Sequence, residues 1–272
     1  MKKVLVIGTS HSEGSCDDLN DGYITKGERW HDYISSELGA EVTLLAREGT
    51  TTLQQFIAVS SYFYENPDAY FDLVLLEGRL AEYTADIPFE QTHWLETDND
   101  PDVNVDLTWF GERYNRFLDR DKRQGARDNR EHQLITSVSP RFTYAVEPES
   151  RRKMFEGWMA EYMKSDMNYF TSVMGNVAIM NIVKKHTKVA RFFCFIGNIL
   201  ENEIEELFAY HMADYIIPEL YPTAINTYDV NKTNYPDHFC PCNHLNPLGI
   251  KEHAWPKLEK YIKRLLEGKD GK

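Results

Sequence analysis

The chain of 272 residues carries 30 Lys and Arg against 43 Asp and Glu, a formal net charge of −13, with 42% apolar and 27% charged residues. That is enough chain for a full hydrophobic core without covalent staples, and a surface this acidic repels nucleic-acid phosphates and anionic membranes. No apolar run approaches the roughly 20 residues of a membrane helix, so neither nucleic acid nor a membrane span is among the expected partners.

Residues 3–7 form a continuous β-rich apolar run closed by Gly8, the pattern of a central parallel strand. The stretch behind Met1-Lys2-Lys3 is too short for a signal-peptide core, so it reads as a strand and not as a targeting segment. Within 26–38, Trp30, Tyr33, Ile34 and Leu38 fall at helical spacing and Gly39 supplies a stop. Residues 41–45 read as a second strand. Residues 51–64 read as a second helix, with Leu53, Phe56 and Ile57 on one face, and 72–77 as a third strand closed by Gly78.

The alternation then breaks. Residues 80–150 are polar and patchily periodic, and a structureless loop of that length is improbable in a compact domain. An inserted lid or subdomain is expected, with short helices around 109–118. Residues 151–184 look helical, 189–196 form a fourth strand, and Ile204, Leu207, Phe208 and Met212 mark a further helix. A short fifth strand is read at 215–218. Asn246 caps a last helix with Pro247 at its first position, and Pro256 marks either a kink or a second helix start. Strands alternating with helices predict a single α/β domain over 1–272, built on a parallel sheet, whose ligand sits at the carboxyl ends of the strands.

Four cysteines, Cys16, Cys194, Cys240 and Cys242, do not make a disulfide framework in a chain this long, and Cys194 reads as a buried small hydrophobe. The expected setting is therefore a reducing cytoplasm.

Three segments carry chemistry. The first is Gly8-Thr9-Ser10-His11-Ser12-Glu13-Gly14, directly after strand one. A hydroxyl on a strand-to-loop turn is held rigidly beside backbone N–H groups that can bind an oxyanion. A nucleophilic Ser10, a degenerate dinucleotide loop and a plain polar turn all compete here; the loop reading suffers because Ser10 replaces the second glycine of the G-x-G-x-x-G pattern. The second segment is Gly49-Thr50-Thr51-Thr52, whose glycine lies between strand two and a Thr-capped helix. The third is His244-Leu245-Asn246-Pro247-Leu248-Gly249 at the entry to the last helix. A His there is held on a short loop, and a general base must come within roughly 2.6–3.2 Å of the nucleophile's hydroxyl.

Together these segments resemble the SGNH/GDSL-type hydrolases, flavodoxin-like α/β esterases, lipases and carbohydrate deacetylases. Gly8-Thr9-Ser10 is similar to their G-D-S turn, and Gly49 with its trailing threonines to their oxyanion-hole glycine. His244, Asn246 and Gly249 keep the spacing of their last D-x-x-H-P-N-x-x-G motif. The resemblance covers the whole chain except 80–150. It implies a three-layer α/β/α sandwich with a large insertion after strand three. It also implies Ser10 as nucleophile, His244 as base, and the N–H groups of Ser10 and Gly49 as oxyanion donors.

Three departures stand out. The Asp of G-D-S is Thr9. The third motif, G-x-N-D, reads Gly78-Arg79-Leu80-Ala81, which leaves Arg79 as a cationic substitute for the missing Asn. The Asp expected three residues before His244 is Pro241, so Asp237 is the nearest upstream acid, and the alternative is a Ser-His dyad oriented by a backbone carbonyl.

The implied reaction is hydrolysis or transfer of a small acyl ester. A carbohydrate O-acetyl group is the preferred substrate, with Trp94, Trp109, Phe110, Tyr114 and Phe117 read either as the insertion's own core or as a sugar-binding wall. No cofactor and no metal is required. A catalytically impaired domain used for binding or assembly is the alternative, a nucleotide-binding domain a weaker third reading, and a homo-oligomer or larger assembly is left open. Segment 238–244 is dense in zinc-ligand types, but its C-x-C spacing is tighter than usual and no second ligand pair is apparent. Asp98, Asp100, Asp102, Asn104 and Asp106 begin like a calcium loop, yet Val103 and Trp109 occupy its Gly and Glu positions.

Overall fold

The computed structural model describes residues 1–14, 16, 24–46, 51–78, 85–88, 135–138, 161, 166–195, 210–217, 233–241 and 244–269. The strands among them are β1 (Lys3–Gly8), β2 (Glu41–Ala46), β3 (Leu73–Glu77), β4 (Ala85–Pro88), β5 (Ile135–Val138) and β6 (Ala190–Phe193). The helices are α1 (Ser10–Glu13), α2 (Asp32–Leu38), α3 (Thr52–Glu65), α4 (Asp166–Val183) and α5 (Trp255–Leu266). The chain forms two compact units, Met1–Glu48 with Asp68–Gly78 and Met180–Lys272, and Gly49–Pro67 with Arg79–Ile179.

The first unit holds a four-stranded parallel sheet in the order β2-β1-β3-β6, so the protein is of the α/β class that strand–helix alternation predicts. Both alternating sets of residues on the central strands are fully buried: Val4, Val6, Leu73 and Leu75 on one face, Leu5, Ile7, Val74 and Leu76 on the other. Two-sided burial explains why these strands read as unbroken apolar runs. On the first of those faces, Ile34 of α2 and Trp255, Leu258 and Ile262 of α5 join Phe193, Trp30 and Phe239 in one core cluster. Each such side chain contributes roughly 1.5–3 kcal/mol on burial. Tyr33 stacks on Trp255 at 5.5 Å, and Trp255 Nε1 donates to Glu37 Oε2 at 2.8 Å, fixing α5 against α2. The register pairs Gly8 with Ala46, Ile7 with Leu76 and Glu77 with Phe193, so the carboxyl ends of all four strands meet at one sheet edge.

Several boundaries differ from expectation. The helix read at 26–38 begins only at Asp32, because Gly27 takes a φ of 105° and residues 26–31 turn instead. The fifth strand is a single parallel bridge, Phe192 to Ile216, beside β6. The last helix opens with a turn at Pro247–Gly249 capped by the Asn246 side chain, as expected. It then widens into a π-turn, Ile250–Ala254, before α5. Pro256 lacks the N–H that would reach back to Glu252, and Trp255 N–H bonds to Ile250 O instead.

In the second unit, α3 buries Ala58, Val59 and Phe63, and most of α4 belongs here with Val173 and Ile179 buried. The two helices meet where Thr52 Oγ1 lies 3.3 Å from Ser172 Oγ. β4 and β5 pair antiparallel, Ala85 opposite Val138. The rest of 80–150 lies outside the described residues, including the five aromatic residues and the acidic run singled out above.

Candidate active site

Ser10 begins α1, a single helical turn that leaves the end of β1 through the extended Thr9. The turn is closed by Ser12 N–H and Glu13 N–H to Thr9 O, at 3.1 and 2.9 Å, and by Gly14 N–H to Ser10 O at 2.9 Å. Its anchor is Glu77, the last residue of β3, which is 1% exposed. Glu77 accepts from Thr9 N–H at 2.7 Å, from the Thr9 hydroxyl at 2.6 Å and from the Ser12 hydroxyl at 2.7 Å. Thr9 therefore does not cap its own helix; its hydroxyl is spent on the neighbouring strand. A Cβ on Gly8 would overlap both Ser12 and the Glu77 carboxylate, so Gly8 is what lets the acid approach the turn.

His31, 3% exposed, supports the turn from the other side. Its Nε2–H donates to Ser12 O at 2.9 Å. Burial first, and the nearby Arg29 guanidinium second, push the imidazole down to about 4, so the ring is neutral at physiological pH and is a donor there. Arg29 itself is forked onto Asp32, Nε to Oδ2 at 2.9 Å and the terminal nitrogen to Oδ1 at 3.1 Å.

His244 arrives on a tight loop. Phe239 and Leu245 form an antiparallel bridge, Cys240 N–H donates to His244 O at 2.8 Å, and Asn246 N–H donates to His238 O at 3.0 Å. The Asn246 side chain adds two further ties, accepting from Gly249 N–H at 3.0 Å and donating to Asp237 O at 2.7 Å. A Cβ on Gly249 would run into the His238 carbonyl, which accounts for the glycine at that position. The loop delivers His244 Nε2 to 2.7 Å from Ser10 Oγ, across 234 positions of sequence. The His11 ring stands beside this pair, 4.4 Å from the His244 ring and stacked on Phe195 at 4.9 Å.

The structure brings Ser10 and His244 together. Asp237 sits on the exposed turn Pro236–His238, and its hydrogen bond to the loop is made by its main-chain carbonyl. Gly49 and Arg79 lie outside the described residues. Glu77, His31 and Phe195 were not singled out in the sequence, whereas His11 stands in the Gly8–Gly14 segment, where it resembles the His of a G-D-S-H variant of the turn. Of the first three, only Glu77 left a signal, as an acid closing the otherwise apolar run Leu73–Glu77.

Cys16 and Cys240 form a disulfide, correcting the expectation that the cysteines stay unlinked. The two lie 224 positions apart, and no spacing rule finds a pair that only tertiary folding brings together. The bond joins Cys16, two residues past the Ser10 turn, to the His244 loop. The expectation of a reducing compartment rested on unlinked cysteines, and that ground is gone. Cys194 is a buried free thiol as expected, pushed up by burial and then by the Glu77 charge, which keeps it unreactive. Among the described residues no helix is long and apolar enough to cross a membrane.

No family model matches the chain, and no curated protein matches it. Solved structures that align with the chain include two hydrolases. A lipase/acylhydrolase from Enterococcus faecalis aligns over 98% of this chain and 96% of its own at 9% identity, with a TM-score of 0.43. An acetyl xylan esterase from the rumen bacterium Butyrivibrio proteoclasticus aligns over 98% of this chain at 10% identity, with a TM-score of 0.45; this chain covers 64% of its length.

Proposed function

We propose that this protein is a divergent SGNH-type ester hydrolase acting on a small acyl ester. The observation that carries the reading is the 2.7 Å approach of His244 Nε2 to Ser10 Oγ, on a turn held at the carboxyl edge of a parallel sheet. With its proton on Nδ1, the imidazole accepts the Ser10 hydroxyl proton as the oxygen attacks the acyl carbonyl. The same proton then passes to the departing alkoxide, and water repeats the cycle on the acyl-serine. The Ser10 N–H, on the first turn of α1 where backbone donors lack intrahelical acceptors, is one oxyanion donor. Gly49 N–H and the Arg79 guanidinium are assigned as the others. His31 and Glu77 do no chemistry; they hold the turn that carries Ser10.

Asp237 was the expected acid of a triad. Its carboxylate belongs to the exposed turn Pro236–His238, and the reading holds for a triad as for a Ser10–His244 dyad, with the loop's main-chain bonds holding the segment that carries the ring. For the substrate, a carbohydrate O-acetyl ester is the preferred class, supported by the aromatic residues Trp94, Trp109, Phe110, Tyr114 and Phe117 in the insertion. The Asn missing from the third motif and the Asp missing before His244 motivate a second reading, a domain that keeps the fold for binding or assembly. The acidic chain and its cysteine chemistry leave the compartment open between cytoplasm and an oxidising space.

The test is hydrolysis of p-nitrophenyl acetate and labelling by a fluorophosphonate. Wild type turns over and is labelled. Ser10→Ala loses both, and His244→Ala falls by at least about 10²-fold. A correctly folded wild type that neither turns over nor labels supports the binding reading.

A further inference from the structure

A second cluster of reactive side chains lies on the other flank of the His244 loop. His238 ends the turn Pro236–His238, and Glu252 and His253 occupy the π-turn Ile250–Ala254. His238 Nδ1 lies 2.7 Å from His253 Nε2, and His238 Nε2 lies 3.7 Å from Glu252 Oε2. One ligand atom from each of the three falls within 4.8 Å of the others. We propose that His238, Glu252 and His253 bind a divalent ion of the zinc class, which clips the His244 loop to the last helix.

The donor chemistry selects the ion. Two imidazoles and one carboxylate suit borderline transition metals such as Zn2+ or Co2+, whereas Ca2+ and Mg2+ want oxygen shells. Tetrahedral bonds of 2.0–2.1 Å place donor atoms roughly 3.3 Å apart. One ligand atom from each residue lies within 4.8 Å of the others, so side-chain rotation that frees a single His238 nitrogen for the ion must draw the three donors to that spacing. The local backbone fits the role as well. Successive residues of an ordinary helix diverge widely around its axis, and the broader π-turn brings Glu252 and His253 toward one partner. Such turns are frequent at functional sites.

The site differs from the zinc reading of segment 238–244. Of the described ligands considered there, Cys240 is in the disulfide and His244 faces Ser10, so His238 is recruited, and its partners come from further down the chain. Its place is structural. His238 O accepts Asn246 N–H, and the ion would tie residues on both sides of His244 to one point. The inference does not depend on ester hydrolysis.

The test is titration of the full chain with Co2+, read by its visible d–d absorption, and with Zn2+ by calorimetry. One equivalent is expected to bind, with a rise in Tm and no binding of Ca2+. His253→Gln and Glu252→Gln each weaken Co2+ binding at least about tenfold. Glu252 is 51% exposed, so its replacement tests the site without threatening the fold. The proposal is overturned if no saturable Co2+ binding occurs, if both variants bind like wild type, or if His244→Gln abolishes binding while His253→Gln does not.

Discussion

Removing the Glu77 carboxylate should loosen the turn that carries Ser10. In Glu77→Ala, the Thr9 N–H, the Thr9 hydroxyl and the Ser12 hydroxyl all lose their acceptor in a site where Glu77 is 1% exposed and Ser12 is 0% exposed. An orphaned buried donor costs about 1–3 kcal/mol. The two hydroxyls can rotate toward other acceptors, so the low end applies to them and the higher end to the fixed N–H. The sum is about 4–5 kcal/mol, to which the vacated side-chain volume adds. Glu77→Gln keeps that volume. Its carbonyl can still serve Thr9 N–H and Ser12, while Thr9 Oγ1 turns to accept from the amide. What is lost is charge assistance, about 1 kcal/mol per bond, partly offset by no longer burying a charge. A net cost of about 1–2 kcal/mol follows. Urea midpoints at unchanged m give both values. The alanine variant should also lose p-nitrophenyl acetate turnover by about 10²-fold, since a displacement near 1 Å at the nucleophile costs that much. An alanine variant destabilised by less than about 1 kcal/mol with normal turnover would refute the argument, as would a glutamine variant that is the weaker of the two.

Acid should weaken the fold through His31. Its folded pKa of about 4 lies below the ordinary 6.5, so the unfolded chain binds the extra proton first. Stability is complete above about pH 7 and falls as the pH drops from 6.5 toward 4, by about 3 kcal/mol in all. His31→Gln should flatten that part of the Tm-against-pH curve. Cys16→Ser should lower stability by about 3–5 kcal/mol, because the cross-link closes a loop of 224 positions. Dithiothreitol should lower the Tm of wild type and leave the variant unmoved. Gly249→Ala sets a methyl against the His238 carbonyl and should cost about 1–3 kcal/mol. Because that turn carries His244, kcat should fall with it, and unchanged kcat would show that the loop absorbs the clash.

Local chemistry was legible wherever it is written in neighbouring residues. The apolar runs of β1 and β3, the Gly39 stop, and the Asn246 cap with Pro247 behind it all follow from propensity, burial and capping at short range. The choice of Ser10 and His244 rested on the resemblance of their two turns to a known family, and folding brings the two side chains to 2.7 Å. What required the folded chain was every interaction across a long gap: Glu77 under Thr9 and Ser12, His31 behind Ser12, the Cys16–Cys240 bond, and His238 beside His253. Sequence periodicity encodes which face of an element is buried. Which distant side chain meets that face depends on strand order and on the path of the connecting loops, and those are set only when the whole core closes.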